Sequence, residues 1–460
     1  MNTNLTDGKP WKVLLKYVLP LLGSAVFQQV YTLADTIIAG KFSGSETALT
    51  AIGASNAIVN ILMAIALGAN AGCAVLCARY FGAREPARVK SAVYTALVSF
   101  SVLSVLLLGV GLATSRPVLV AMDTPGAALA ESVTYLNIYY LGVPFLILYN
   151  LGTGIFSALG DSRTPFIFLV FSSVANIVLD YFMAIPWGVA GVAWATFITQ
   201  GVACLCTLVF VLVRVARMEC AEKPPVFSAR LLKLLLLLAL PVALQNSFVS
   251  VGNLVIQIKI NELANAQGIG ITNGFAAGFK LLVFCTTCMC TCATGLTNYV
   301  SQNYGAHKLH RIRRGFYASL LISTAITALF VAVSELFAYP LVGLFMQEGE
   351  SSEFAVRMGV QYVRTVAPFF FVVNVKINAD GCVRGCNGNL GFMISTFSDL
   401  ILRVVFVFVL ASFLGFTGVG WAWNIGWTLG TVVALAFYFT IPVFRRRNVR
   451  RCAEILGGAE

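Results

Sequence analysis

Apolar residues run along this chain in blocks of about twenty or more, broken by short polar stretches. A block of that length, wound as a helix that rises 1.5 Å per residue, crosses a hydrocarbon core of roughly 30 Å. The pattern predicts about twelve membrane-spanning helices, over residues 13–38, 48–72, 91–112, 132–158, 166–185, 190–213, 233–260, 269–296, 316–338, 359–383, 391–413 and 417–442. Transmembrane strands are excluded, because they alternate apolar and polar positions and need only about ten residues. The polar connections are short, so no separate soluble domain is expected. The fold class is an all-α polytopic membrane protein.

The second half of the chain repeats the first. Phe81-Gly82-Ala83 returns as Tyr304-Gly305-Ala306, the run from Gly191 to Ala195 returns as Gly418 to Ala422, and Pro20 returns as Pro241. The offsets are 223, 227 and 221 (305−82, 418−191, 241−20). Three landmarks on nearly one offset imply a duplicated unit of six spans. An even number of spans gives both repeats the same orientation, so the repeat is parallel. The expected organisation is a six-helix lobe over 1–218, a linker over 219–232, a second lobe over 233–444 and a basic tail over 445–460. Two like halves in a bilayer leave a cleft, where transporters bind their substrate.

Of the 460 residues, 58% are hydrophobic and 11% charged, which fits this reading. The net charge of +12 matters through its distribution. Positive residues crowd alternate connections: Lys9, Lys12 and Lys16, then Arg79 to Lys90, Arg214 to Lys233, Lys308 to Arg314, and Arg445 to Arg451. An intervening connection carries Glu348, Glu350 and Glu353. Positive residues stay on the cytoplasmic side, which places both termini and the central linker there, in a bacterial inner membrane. Topology accounts for the charge, so nucleic acid is not expected as a partner. The first apolar block is too long for a cleavable signal and leads directly into the repeat. Of the 12 cysteines, Cys285, Cys288, Cys290 and Cys292 cluster. Their spacing suits zinc, but no histidine lies near and thiolates are costly in a membrane helix; they read as packing residues. His307 and His310 lie in a basic connection. No His-Glu-x-x-His motif or nucleophile–base grouping is present, so an enzyme is not expected.

Charges at bilayer depth cost several kcal/mol and face protein or water, which makes them the best functional evidence in such a chain. Asp35 lies in the first span, and Asn176 and Asp180 lie four apart on one face of the fifth. Their oxygens, helped by Thr196 or Thr199, suit a proton or a hard cation such as Na⁺. The second half does not duplicate this site. Asn253 stands where an Asp35 counterpart is expected, and Arg403 aligns with Asn176. Lys259, Glu262, Lys280, Lys376, Asp380, Asp399 and Arg403 appear instead. Lys376 and Asp380, four apart, either form a structural pair or line a charged substrate pocket with Lys280 and Arg403.

Several motifs in order resemble the multidrug and toxic compound extrusion (MATE) family, in the branch with an acidic residue on the first helix. They are Pro20…Gln28-Gln29…Asp35-Thr36-Ile37-Ile38-Ala39-Gly40, Ala51-Ile52-Gly53, Tyr80-Phe81-Gly82-Ala83, Ala158-Leu159-Gly160-Asp161-Ser162-Arg163-Thr164-Pro165 and Asn176…Asp180. The second half adds Val383-Arg384-Gly385-Cys386-Asn387 and the run from Gly418 to Ala422. The resemblance covers essentially the whole chain. It implies two six-helix lobes around a V-shaped cleft and export of organic molecules against inward H⁺ or Na⁺. Asp35, Asn176 and Asp180 match the cation site, with Asn150 and Thr199 as further members. Arg384 matches a residue that anchors a helix end. No cofactor beyond the coupling ion is implied.

The chain departs from the family pattern at Cys386-Asn387-Gly388-Asn389, which lacks the acid of the first-half turn. Lys280, Lys376 and Arg403 add positive charge that, unpaired, would repel cationic drugs. The leading expectation is therefore a monomeric cation-coupled antiporter for small molecules, with lipid around it. The alternative is a flippase for a lipid-linked or anionic headgroup.

Overall fold

The computed structural model describes residues 4–42, 48–220, 223–268, 270–345 and 352–441, with side chains at 33–42, 48–50, 267 and 352 outside that description. All regular structure among these residues is helical. In order the helices are α1 (Pro10–Phe42), α2 (Ala48–Gly82), α3 (Pro86–Ala121), α4 (Gly126–Ala158), α5 (Arg163–Ala216), α6 (Ala229–Gln267) and α7 (Gly270–Gly305). There follow α8 (Leu309–Leu336), the short α9 (Ala338–Gly343), α10 (Ser352–Val366), α11 (Phe370–Gly385), α12 (Asn389–Leu414) and α13 (Phe416–Thr440). A 3₁₀ turn at Ala367–Phe369 joins α10 to α11 into one span, and Pro368, which has no N–H to give, sits in it.

Among the described residues eleven stretches are long and apolar enough to cross a membrane. One of them, α5, has 54 residues and would be about 80 Å long if straight, far more than a bilayer core. It is not straight: Gly188 leaves the helical region at φ 55°, ψ −133° and the chain folds back. A Cβ at Gly191 would collide with the Met183 carbonyl, so only glycine lets the two arms touch there. The arms are the spans expected at 166–185 and 190–213, which makes twelve membrane segments among the described residues.

The duplication is written in the backbone as well as in the residues. Gly415, between α12 and α13, has φ 56° and ψ −138°, nearly the angles of Gly188, and stands 227 positions later (415−188). Gly418 meets the Leu410 carbonyl as Gly191 meets that of Met183. Positive φ recurs at Arg84 and His307 (307−84 = 223), and at Gly160 and Asn387 (387−160 = 227).

The chain divides into two compact units, but not at the connection expected from sequence. Leu19–Ser247 form the first; Leu5–Val18 and the chain from Phe248 form the second. The breaks fall inside α1 and α6 because each half's first helix starts in the other unit. In the first unit, Gly68 and Gly72 of α2 bring that helix against Ala239 and Ala243 of α6. In the second, residues 5–8 bond to the turn between α7 and α8.

Each unit turns apolar side chains outward and buries polar ones among the apolar residues of its core. On α3 the exposed residues Val102, Val105, Leu106 and Val110 follow helical spacing, while Ser91, Thr95 and Ser104 face the interior. Buried hydroxyls such as Ser132 and Thr327 donate to carbonyls four residues back, each at 2.8 Å, and so need no outside partner. In the second unit Gly381 and Gly385 let α11 lie on α7. There Arg384 Nη2 donates to Thr297 Oγ1 at 3.1 Å and its guanidinium covers Phe392, so Arg384 ties α11 to its neighbours. Cys285, Cys288 and Cys292 are buried on α7 and Cys290 is exposed.

Candidate functional site

In the first unit the fold-back of α5 assembles a polar cluster from both of its arms and from α1. Asp180 is fully buried and Asn176 is 2% exposed. Asn176 Nδ2 donates to the Tyr31 hydroxyl oxygen at 2.7 Å and to Asp180 Oδ2 at 3.2 Å. Its Oδ1 lies 3.3 Å from the Thr196 backbone N–H and 3.3 Å from the Thr199 hydroxyl, which also reaches the Ala195 carbonyl at 2.9 Å. Gly188 makes this possible by returning Thr196 and Thr199 alongside Asn176. Among the described residues the result is one fully buried carboxylate beside neutral polar groups. Oxygen-bearing groups gathered in this way suit a hard cation.

Asn176, Asp180 and Thr199 are thus brought together. Asp35 lies on helical backbone of α1, four residues after Tyr31, and its side chain lies outside the described residues. Asn150 is engaged elsewhere: its amide donates to the Leu146 carbonyl at 2.9 Å, and its own carbonyl accepts from Asn70 at 2.8 Å. Sequence reasoning left Tyr31 out of the site. The signal was available, since Tyr31 and Asp35 are four apart and share a helix face.

The second unit holds a buried quartet of charges on α11 and α12. Lys376 Nζ lies 3.0 Å from Asp380 Oδ2 and 3.7 Å from Asp399 Oδ2. Arg403 Nη2 reaches both oxygens of Asp399 at 3.0 Å, and its guanidinium stacks 3.9 Å from the centre of the Trp423 ring. All four charged residues are at most 6% exposed. Gly426 and Gly430 let α13 lie directly on them. The two acids match the two bases, so the quartet sums to zero. Asp399 is the member the sequence reading did not place in the site, although its spacing of four from Arg403 matches that of Lys376 and Asp380. Lys280 is apart from the quartet: it is exposed and lies over the Phe345 ring at 5.1 Å. Lys259 pairs with Glu262 on α6 at 2.7 Å. Glu348, Glu350 and the basic residues from Arg445 onward lie outside the described residues.

Asp161, between α4 and α5, closes the α5 hairpin. Its carboxylate accepts from the backbone N–H groups of Arg163 and Thr164 (3.2 and 3.1 Å), from the Thr164 hydroxyl (2.9 Å) and from Arg214 Nη1 (2.6 Å). Burial alone would raise its pKa, but the Thr164 backbone and hydroxyl bonds and the Arg214 guanidinium together hold it below the ordinary 3.8. A depressed carboxylate contributes stability that is complete above its unfolded pKa and fades as pH falls through the folded one. Asp161→Asn should therefore destabilise the protein by about 1–2 kcal/mol at pH 7. Thermal unfolding of both forms should show that gap constant down to roughly pH 5 and closing below about pH 4. A gap unchanged at low pH would show that shape rather than charge is what Asp161 supplies.

A duplicated set of twelve helical segments with ionisable groups held inside it defines a multi-pass membrane transporter. The MatE family model matches residues 20–182 and again 241–409, once per repeat, and the chain belongs to the MatE family, whose members are transporters and not enzymes. The probable multidrug resistance protein YpnP of Bacillus subtilis (strain 168) is 26% identical over 444 residues, covering 95% of this chain and 96% of the relative. The FAD transporter of Shewanella oneidensis is 24% identical over 348 residues, 74% of this chain and 76% of that one. Among solved structures, a MATE protein in complex with MaL6 aligns with TM-score 0.89 at 22% identity, over 98% of this chain and 99% of that one. A MOP superfamily transporter from Pyrococcus furiosus Vc1, described as having a binding pocket of reverse polarity, aligns with TM-score 0.88 at 21% identity over 98% of each chain. These last two show the fold.

Proposed function

We propose that the protein is a secondary antiporter that exports small organic molecules in exchange for an inward H⁺ or Na⁺. The observation that carries this reading is the fully buried Asp180, whose carboxylate meets the Asn176 amide in a cluster with Tyr31, Thr196 and Thr199. The family resemblance adds Asp35, four residues after Tyr31 in the sequence, as a further member. An entering cation binds one conformation of the protein better than the other and so shifts the balance between inward- and outward-open states. The cargo leaves when the outward state loses affinity for it. Relatives named for multidrug resistance and for FAD transport support organic molecules as the cargo class. The basic residues on alternate connections support a bacterial inner membrane with both termini in the cytoplasm.

A flippase for an anionic headgroup needs a basic cavity. Lys376 and Arg403 are matched by Asp380 and Asp399, so the quartet offers no net attraction for such a cargo. Antiport is therefore the favoured reading. Proteoliposomes loaded with a fluorescent organic cation, or with an organic anion, test it. An imposed H⁺ or Na⁺ gradient should speed efflux at least tenfold, and an ionophore should return it to the basal rate. Efflux indifferent to both gradients, together with accelerated scrambling of a labelled anionic lipid, would favour the flippase.

A further inference from the structure

The first residues of the chain are clasped to the second unit. Leu5 is fully buried and its carbonyl accepts from Asn303 Nδ2 at 3.0 Å. Lys308 Nζ donates to the Thr6 carbonyl (3.0 Å) and to Asp7 (2.7 Å), and Arg311 Nη1 to the Gly8 carbonyl (2.8 Å). Beyond the clasp, Leu14, Tyr17 and Val18 of α1 face into the same unit, where the Tyr17 hydroxyl accepts from Asn298 at 3.0 Å. The opposite face of this stretch is exposed and carries Lys9, Trp11, Lys12, Leu15 and Lys16. Spacings of three and four put the lysines along one side, and Lys12 Nζ lies 5.4 Å from the Trp11 ring centre.

Topology explains the sign of these lysines, and their side chains are free to meet a partner outside the protein. Among the described residues none of the three has an ion pair, and Asp7, the acid nearest to them, already serves Lys308. The first turn of α1 holds no acid either, and positive side chains there oppose the helix dipole instead of supporting it. A second cation–aromatic pair stands just past the clasp on α8: Arg313 over Tyr317 at 5.9 Å, both exposed. Basic side chains beside a membrane helix attract anionic lipid, and tryptophan and tyrosine settle at headgroup depth.

We infer that this end of the second unit is a docking surface for anionic phospholipid. The headgroup phosphate sits against Lys9, Lys12 and Lys16, the Trp11 ring lies at headgroup level, and Leu15 meets the acyl chain. Lipid so held presses the start of α1 onto the clasp. The docking does not depend on how cargo is driven.

Lipids brominated on the acyl chain test this in bilayers of phosphatidylcholine. The Trp11 signal is the fluorescence difference between the native chain and Trp11→Phe. Brominated phosphatidylglycerol should half-quench that signal at a far lower mole fraction than brominated phosphatidylcholine. Each basic residue contributes about fivefold, so the three lysines together give a preference approaching a hundredfold. Lys9→Gln/Lys12→Gln/Lys16→Gln should make the two lipids equivalent, and roughly 0.5 M salt should do the same to the native chain through screening. Equal quenching of the native protein by both lipids would overturn the inference. So would a preference that survives the triple substitution or the added salt, or loss of the preference on adding millimolar glycerol phosphate, which would assign the lysines to a soluble anion.

Discussion

Asp180→Asn is expected to lower ion-driven efflux at least tenfold while the protein still folds. The substitution keeps the size of the side chain and a hydrogen-bonding group beside Asn176, so the packing of α5 against α1 survives. Among the described side chains it removes the one charge from a cluster whose other members, Tyr31, Asn176, Thr196 and Thr199, are neutral. A cation shifts a conformational equilibrium only by the difference in its affinity for the two states, and tenfold corresponds to about 1.4 kcal/mol of that difference. An amide in place of a buried carboxylate forfeits at least that much. Tyr31→Phe removes the hydroxyl that accepts from Asn176, a neutral hydrogen bond typically worth about 0.5–1.5 kcal/mol, and should slow driven efflux by a smaller factor. Transport assays on the two variants, with basal leak subtracted, give the comparison. Driven efflux that is intact in Asp180→Asn would remove that residue from the mechanism.

Asp399→Asn is expected to be the most destabilising single change in the second unit, at about 3–5 kcal/mol. Asp399 is the shared acid of the quartet, within 3.7 Å of Lys376 and 3.0 Å of Arg403. Its loss leaves two buried bases with only Asp380 between them, and an uncompensated charge in a dry interior is costly. A drop of the melting temperature on the order of 10 °C should follow. Replacing Lys376 and Asp380 together by Met and Leu should cost less than either replacement alone, because a buried pair removed as a pair takes its desolvation penalty with it. Simple additivity of the two single changes would mean that Lys376 and Asp380 do not act as a pair in the folded protein.

Much of this architecture could be read from the residues, and the exceptions share one cause. Spans were legible because lipid imposes a length, and the duplication in part because Gly191 and Gly418 have no substitute at a tight fold-back; the matching turns at Gly188 and Gly415 came only with the backbone angles. Pairs four apart on one helix, such as Asn176 with Asp180 and Lys376 with Asp380, were legible for the same local reason. Relations between helices were not. The link from Lys376 to Asp399 joins α11 to α12, and the one from Asn176 to Tyr31 joins α5 to α1; neither follows from spacing. Asn150 and Lys280 carry suitable chemistry, yet helix packing turns the first to its own helix and leaves the second over Phe345. The unit boundaries inside α1 and α6 were hidden too, since the clasp of residues 5–8 on Asn303, Lys308 and Arg311 is purely tertiary.

In the proposed antiport mechanism the buried site at Asp180 holds a cation that cargo binding dislodges. Purified protein in weakly buffered detergent solution, equilibrated with H⁺ alone or with radioactive Na⁺, can be titrated with a transported cargo. Release of roughly one cation per protein on cargo binding is the result expected, with none from Asp180→Asn. Saturating cargo binding that releases neither protons nor Na⁺ from the native protein would contradict it.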